Sequence, residues 1–301
     1  MRGFVFSVLA LLIISVLVLF AITDRTPDLS SRAAIPEVRE MNALITDIET
    51  DIDRGLYITS FRALLAQIEY LITTGELLES TAGSFEEGML NGTINNMTMN
   101  ALGEADFSLW LKKIQEILAQ RGFAFTYEVL SLEQYHTAPN VVSSDVTIRY
   151  SLTDSRARRN YTREITATTD VPIEGLEDPL YFVKSLGRLS NVVRFTNETD
   201  LDTLIDESMN NSLYRYSNKS PSYLMRLEGN FSPSEFGIES IVGGQRFLNQ
   251  GVGLYDGRSS IDALYFSTIA HEAQCMSGAP DWFRLDTNRL NDYTGAANVT
   301  C

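Results

Sequence analysis

Apolar positions in the first part of the chain follow three successive rhythms, each implying a different element. From Phe4 to Ile22 the run FVFSVLALLIISVLVLFAI carries no charge and only Ser7 and Ser15 as polar interruptions. At about 1.5 Å per residue, nineteen helical residues match a hydrocarbon core of about 30 Å, so the run predicts a membrane-spanning helix in contact with the lipid bilayer over residues 4–22. After a polar connector, Val38, Met41, Ile45, Ile48 and Ile52 recur every three or four positions, opposite Glu37, Glu40, Asp47, Asp51 and Arg54. The stripe resumes at Leu64, Leu65, Ile68, Leu71 and Ile72, which predicts an amphipathic stalk helix over 36–78. In that reading Pro36 occupies the first turn, Gly55 is the weak interior position and Gly75 the stop.

Residues 80–104 are rich in Gly, Asn, Ser and Thr and read as an exposed loop, after which Phe107, Trp110, Leu111, Ile114, Ile117 and Leu118 line one face of a further helix ending at Gly122. The period then falls to two. Phe123, Phe125, Tyr127 and Val129 alternate with smaller or polar residues, and Val146, Ile148 and Tyr150 do the same before the tip Asp154-Ser155-Arg156-Ala157-Arg158-Arg159-Asn160. With Thr162–Pro172, residues 145–172 predict a hairpin with a basic tip. Beyond it, Asn191–Phe195, Ile238–Val242 and Ala263–Ser267 read as short strands and Leu201–Met209 as a short helix. The predicted class is α+β: a transmembrane helix, a long amphipathic helix, then a mixed helix and antiparallel-sheet domain. The expected divisions are 1–23 (anchor or signal), 24–35 (connector), 36–78 (stalk) and 79–301 (glycosylated α+β ectodomain).

Composition sharpens this picture. With 44% hydrophobic residues, the 301-residue chain has enough apolar material for a sizeable core. Its 24 basic and 39 acidic residues give a net charge of −15, which repels polyanions and excludes nucleic acid as an expected partner. Flanking charge does not orient the anchor, since Arg2 stands on one side and Arg25 and Arg32 on the other. Asn-x-Ser/Thr sequons do, at Asn91, Asn96, Asn160, Asn197, Asn210, Asn218, Asn230 and Asn298. About three would arise by chance, so the excess points to N-glycosylation and to an extracytoplasmic domain at a cell membrane. Cys275 and Cys301, the only cysteines, are a candidate disulfide that would tie down the C-terminus.

Catalytic material is sparse. The two histidines are His136 and His271. His271-Glu272-Ala273-Gln274-Cys275 places histidine and cysteine one helical turn apart, but it has neither the second histidine of a zinc-protease motif nor a third ligand. No nucleophile elbow precedes either histidine, the glycines around 243–257 match no phosphate or dinucleotide loop, and the acidic pairs Glu86/Glu87 and Glu174/Asp178 read as solvated surface. The expectation is a non-catalytic protein with no metal and no cofactor.

The opening Met1-Arg2-Gly3, followed at once by Phe4 and an apolar helix, resembles the signal of archaeal type IV pilin-like proteins. That resemblance implies cleavage after Gly3, a mature chain starting at Phe4, and a helix that first anchors and then packs a filament. The acidic residue typical of bacterial pilins is absent, Val8 standing at the fifth position after Gly3. Asp51-Ile52-Asp53-Arg54-Gly55-Leu56 and Pro280-Asp281-Trp282-Phe283-Arg284-Leu285-Asp286 are similar to segments of uncharacterised archaeal single-pass surface proteins. The implied function is a membrane-anchored structural or adhesive surface protein that self-assembles or meets other surface proteins. The alternatives are an anchored ligand- or protein-binding ectodomain that does not polymerise and, more remotely, a surface hydrolase.

Overall fold

The computed structural model describes residues 29–103, 105–154, 159–210, 212–255, 257–267, 272–296 and 298–299. Residues 4–22, with Gly3 and Phe4, lie outside them. Among the described residues no helix is long and apolar enough to cross a membrane. For the described residues, that finding corrects the expected transmembrane helix, the membrane keywords and the single-pass location. What stands of the fold class is α+β with antiparallel sheets.

The chain divides at Asp51/Ile52 into two units. In the first, the described residues belong to helix α1 (Leu29–Thr74), which continues into the second. The helix begins earlier than the periodicity predicts, so Pro36 sits in its eighth position and not in the first turn. Having no N–H, Pro36 leaves the carbonyl four residues back without its intrahelical donor. Thr46 and Thr50 turn their hydroxyls onto carbonyls of the preceding turn.

In the second unit α1 is core. Ile52, Leu56, Ala63, Leu64 and Leu71 are fully buried, and Gly55 is a contact point: a Cβ there would stand 2.5 Å from the Trp110 indole. The glycine that reads as a weak point in the sequence is the seat of a tryptophan. Helix α2 (Thr81–Asn91) corrects the loop predicted at 80–104. Ser80 caps it by accepting from the Gly83 N–H, and Phe85 and Met89 supply a buried face that the surrounding Gly and Ser disguise. The hairpin β1 (Thr93–Ile94) and β2 (Met97–Thr98) turns on Asn95 and Asn96, both with positive φ, and the Glu87 carboxylate accepts from both their amides and from the Thr93 hydroxyl. Helix α3 (Phe107–Gln120) buries Phe107, Leu111, Ile114 and Leu118, whereas Ile117, expected on the same face, is exposed.

The main sheet is a meander of β3 (Phe123–Ala138), β4 (Val141–Asp154) and β5 (Arg159–Pro172) in the order β3-β4-β5. Its inner face carries Phe125, Val142, Val146, Ile148, Tyr150 and Leu152, all buried, and the outer face is mostly Thr, Ser and charge. The two edges differ. Register along β3 slips between Val129 and Ser131 and again between His136 and Ala138, whereas β5 pairs with β4 through fourteen consecutive residues without a shift.

The remaining elements are short: α4 (Pro179–Lys184), α5 (Leu201–Ser208), β6 (Tyr214–Tyr216), α6 (Tyr223–Leu227), β7 (Ile238–Ser240), α7 (Gly244–Asn249), α8 (Asp262–Phe266), β8 (Ala273–Met276), β9 (Arg284–Asp286) and β10 (Asn298–Val299). Two predicted strands fail here. Asn191–Phe195 makes only isolated bridges at Val192 and Phe195. Residues 262–266 are helical: Asp262 accepts from the Ala263 N–H at the start of the turn, and with Ala263, Tyr265 and Phe266 all buried the pattern has no polar face from which to read a period. One apolar cluster gathers Leu201, Leu204, Ile241, Phe283 and Leu285, and another gathers Leu180, Tyr181, Phe247, Tyr265 and Phe266.

Candidate functional site

Polar side chains concentrate on the two faces of the β6–β7 ladder. Its register sets Tyr214 opposite Ser240, Arg215 opposite Glu239 and Tyr216 opposite Ile238. Because side chains alternate across a strand, Tyr214 and Ser240 point one way and Arg215 and Glu239 the other.

The first face is dry. Asp178 caps α4, accepting from the Leu180 N–H at 3.1 Å through Oδ1. Its Oδ2 accepts from Arg226 Nε at 3.0 Å, Arg226 Nη2 at 2.5 Å and the Tyr214 hydroxyl at 2.7 Å. The same Nη2 reaches Asp262 Oδ2 at 2.7 Å, to which the Ser240 hydroxyl also donates at 2.6 Å, and Ser240 is itself within 2.7 Å of the Tyr181 hydroxyl. The side chains of Arg226, Asp178 and Asp262 are 0% exposed. Burial opposes the charge on Arg226, but Asp178 and Asp262 outweigh it and hold the guanidinium protonated well above its ordinary range. Burial lifts the Asp262 carboxyl above the usual carboxylate range, against the pull of Arg226. Five elements, α4, α6, α8, β6 and β7, are tied together by this one arginine and its partners.

The second face opens outward. Glu239 accepts from Arg289 Nε at 3.0 Å and the Ser220 hydroxyl at 2.7 Å on one oxygen, and from the Tyr293 hydroxyl at 2.9 Å on the other. Burial, with Glu239 adding to it, pushes the Tyr293 hydroxyl well above its ordinary value, so it stays a donor. Arg215 lays its guanidinium 4.5 Å from the Tyr293 ring centre and donates through Nη2 to the Asp292 carbonyl at 3.1 Å. Lys219 Nζ holds both Asp292 carboxylate oxygens, at 3.0 and 2.7 Å. A cavity of about 250 Å³ lies between these groups, lined by Arg215, Tyr216, Ser217, Asn218, Lys219 and Asp292, with Glu239 in its wall. Gly237 fixes the wall, since a Cβ there would overlap the carbonyl oxygens of both Ser217 and Ser220.

The sequence candidates fall elsewhere. His271 lies outside the described residues, and Ala273–Met276 is a strand, so the helical spacing meant to bring His271 to Cys275 does not apply. Among the described residues no group of three or more His, Cys, Asp or Glu is placed to hold a metal. His136 is buried in β3: Nδ1 lies 2.9 Å from the Val141 carbonyl, Nε2 accepts from the Leu224 N–H at 3.3 Å, and burial lowers its pKa. Asp178 is not solvated surface but the centre of the dry cluster, while Glu174 is exposed. Glu86 is exposed and Glu87 organises the β1–β2 turn. Of the basic tip, Arg156 and Arg158 lie outside the described residues.

Asn91, Asn96, Asn160, Asn197, Asn210, Asn218 and Asn230 are all exposed, and the Asn298 side chain lies outside the described residues. Cys275 stands opposite Val299 of β10, and no described cysteine is free; its expected partner Cys301 lies outside the described residues. Sequence reasoning missed Arg215, Arg226, Glu239 and Arg289, which meet from distant parts of the chain. The one local signal was the polar centre of Tyr214-Arg215-Tyr216 and of Ile238-Glu239-Ser240.

Compared with protein-family models, curated proteins and solved structures, the chain has no match. The pilin-like, glycoprotein and archaeal descriptions gain no support from these comparisons.

Proposed function

We propose that this chain is a non-catalytic structural protein that associates with a second copy of itself by strand addition. The observation that carries this reading is the β5 edge: fourteen residues in uninterrupted register on one side, with no strand on the other among the described residues. A long regular edge presents a row of unpaired N–H and C=O groups, a template for another strand. Thr162, Arg163, Glu164, Thr166 and Thr168 are exposed along it. An antiparallel two-fold pairing centred on Ile165 sets Thr162 opposite Thr168, Arg163 opposite Ala167 and Glu164 opposite Thr166, so no like charges meet and the six strands form one sheet.

The non-catalytic half of the proposal is supported by how the buried charged groups are used: Asp178, Arg226, Asp262, Glu239 and Arg289 are all engaged with one another or with neighbouring hydroxyls and carbonyls. Sedimentation equilibrium of the chain across a hundredfold concentration range is the test. A reversible dimer is expected, reduced to monomer in a Thr162→Lys/Thr168→Lys double variant, which places four ammonium groups across the seam. A wild-type monomer throughout, or a dimer indifferent to the lysines, refutes the edge as the contact.

A further inference from the structure

We infer that the cavity beside β6 is a binding site for a small hydroxylated carboxylate of the sugar-acid class, with Arg215 as its anchor. Hydrogen-bond accounting carries the inference. Glu239 in the cavity wall has all its needs met by Arg289, Ser220 and Tyr293, and Asp292 is held by Lys219. Neither carboxylate competes for Arg215, whose Nη2 is spent on a carbonyl. Arg215 Nη1 is buried and has no hydrogen-bond partner among the described residues. A buried unpaired donor on a cation is costly, and the partner that best relieves it is an anionic oxygen.

The surroundings select further. Two cations, Arg215 and Lys219, meet two carboxylates, Glu239 and Asp292, so the cavity wall carries no net charge in a chain whose net charge is −15. An anion meets less repulsion there than over the rest of the surface. The volume of about 250 Å³ suits a ligand of one small ring, and a neighbouring space of about 620 Å³ shares Asn218 and Lys219 and leaves room for a substituent. Tyr216, 56% exposed, is among the lining residues and fixes its hydroxyl on the Glu235 carbonyl. Asn218 and Ser217 supply the amide and hydroxyl that the ring hydroxyls of a sugar acid need. A plain carboxylate would use Arg215 alone, and a neutral sugar would offer it only a hydroxyl oxygen, a weaker acceptor than a carboxylate.

The test is titration calorimetry of the full chain with glucuronate, with glucose and acetate alongside. Saturable binding of glucuronate, weaker binding of acetate and none of glucose are expected. Arg215→Met should weaken glucuronate at least tenfold while the thermal midpoint stays measurable. Should that variant fail to fold, Arg215→Lys keeps the charge over Tyr293 without the forked donors and should weaken binding severalfold. No glucuronate binding, equal binding of glucose, or affinity unchanged in the Arg215 variants would each overturn the inference.

Discussion

The two faces of the β6–β7 ladder hold the same kind of chemistry, arginine against carboxylate, yet they differ in what surrounds it. On the dry face, Arg226 and its two aspartates are sealed by Tyr181, Tyr214 and Leu180. On the open face, Arg289 and Glu239 are nearly as buried, but their neighbours Arg215, Lys219 and Asp292 reach a cavity. Alternation of side chains along three residues separates them. Burial on one face makes the ion cluster a brace, and access on the other makes it a wall.

That contrast can be broken at the dry face first. Arg226→Met leaves Asp178 and Asp262 buried without their cation and should destabilise the fold by about 3–5 kcal/mol, read from urea midpoints. A change below about 1 kcal/mol would show that water reaches the cluster. Glu239→Gln, on the open face, keeps the shape but leaves Arg289 with a weaker acceptor and should cost about 2 kcal/mol in the same assay. Acid gives a third probe, because the Leu224 N–H that bonds His136 belongs to α6, the helix carrying Arg226. Burial lowers the folded pKa of His136 below its ordinary 6.5, so the unfolded chain takes up the proton first. The resulting stability is whole above about 6.5 and is lost as pH falls through the lowered folded value. His136→Gln should remove that slope from urea midpoints collected between pH 8 and pH 5. The smallest effect belongs to the open face: Lys219 and Asp292 are partly solvated, so Lys219→Met should change stability by less than about 1 kcal/mol and lose even that at high salt.

What was legible in the sequence follows the length of the pattern. The α1 stripe, the α3 stripe and the alternation through 123–172 are each long enough to show a period, and all three became the predicted kind of element. Ala263–Ser267 reads as a strand because Ala263, Tyr265, Phe266 and Ser267 are buried and Leu264 is partly so, which leaves no exposed polar face to set a phase. Thr81–Asn91 was misread because Ser80, Gly83 and Gly88 resemble loop composition, although Ser80 is a cap and Gly88 packs beside Ile94 and Ala63. The candidate site was hidden for a different reason. Arg215 stands opposite Glu239, and Arg289 reaches Glu239, only through the tertiary fold, and no spacing in the chain foretells either pairing.

The unequal edges of the main sheet fix a valence. Pairing through β5 consumes the one uninterrupted edge of each partner and leaves at both ends a β3 whose register is twice displaced. Growth by this route terminates at two. An assembly of higher order built from this chain would need a second, unrelated contact, and its stoichiometry would count such contacts in pairs of chains and not in single ones.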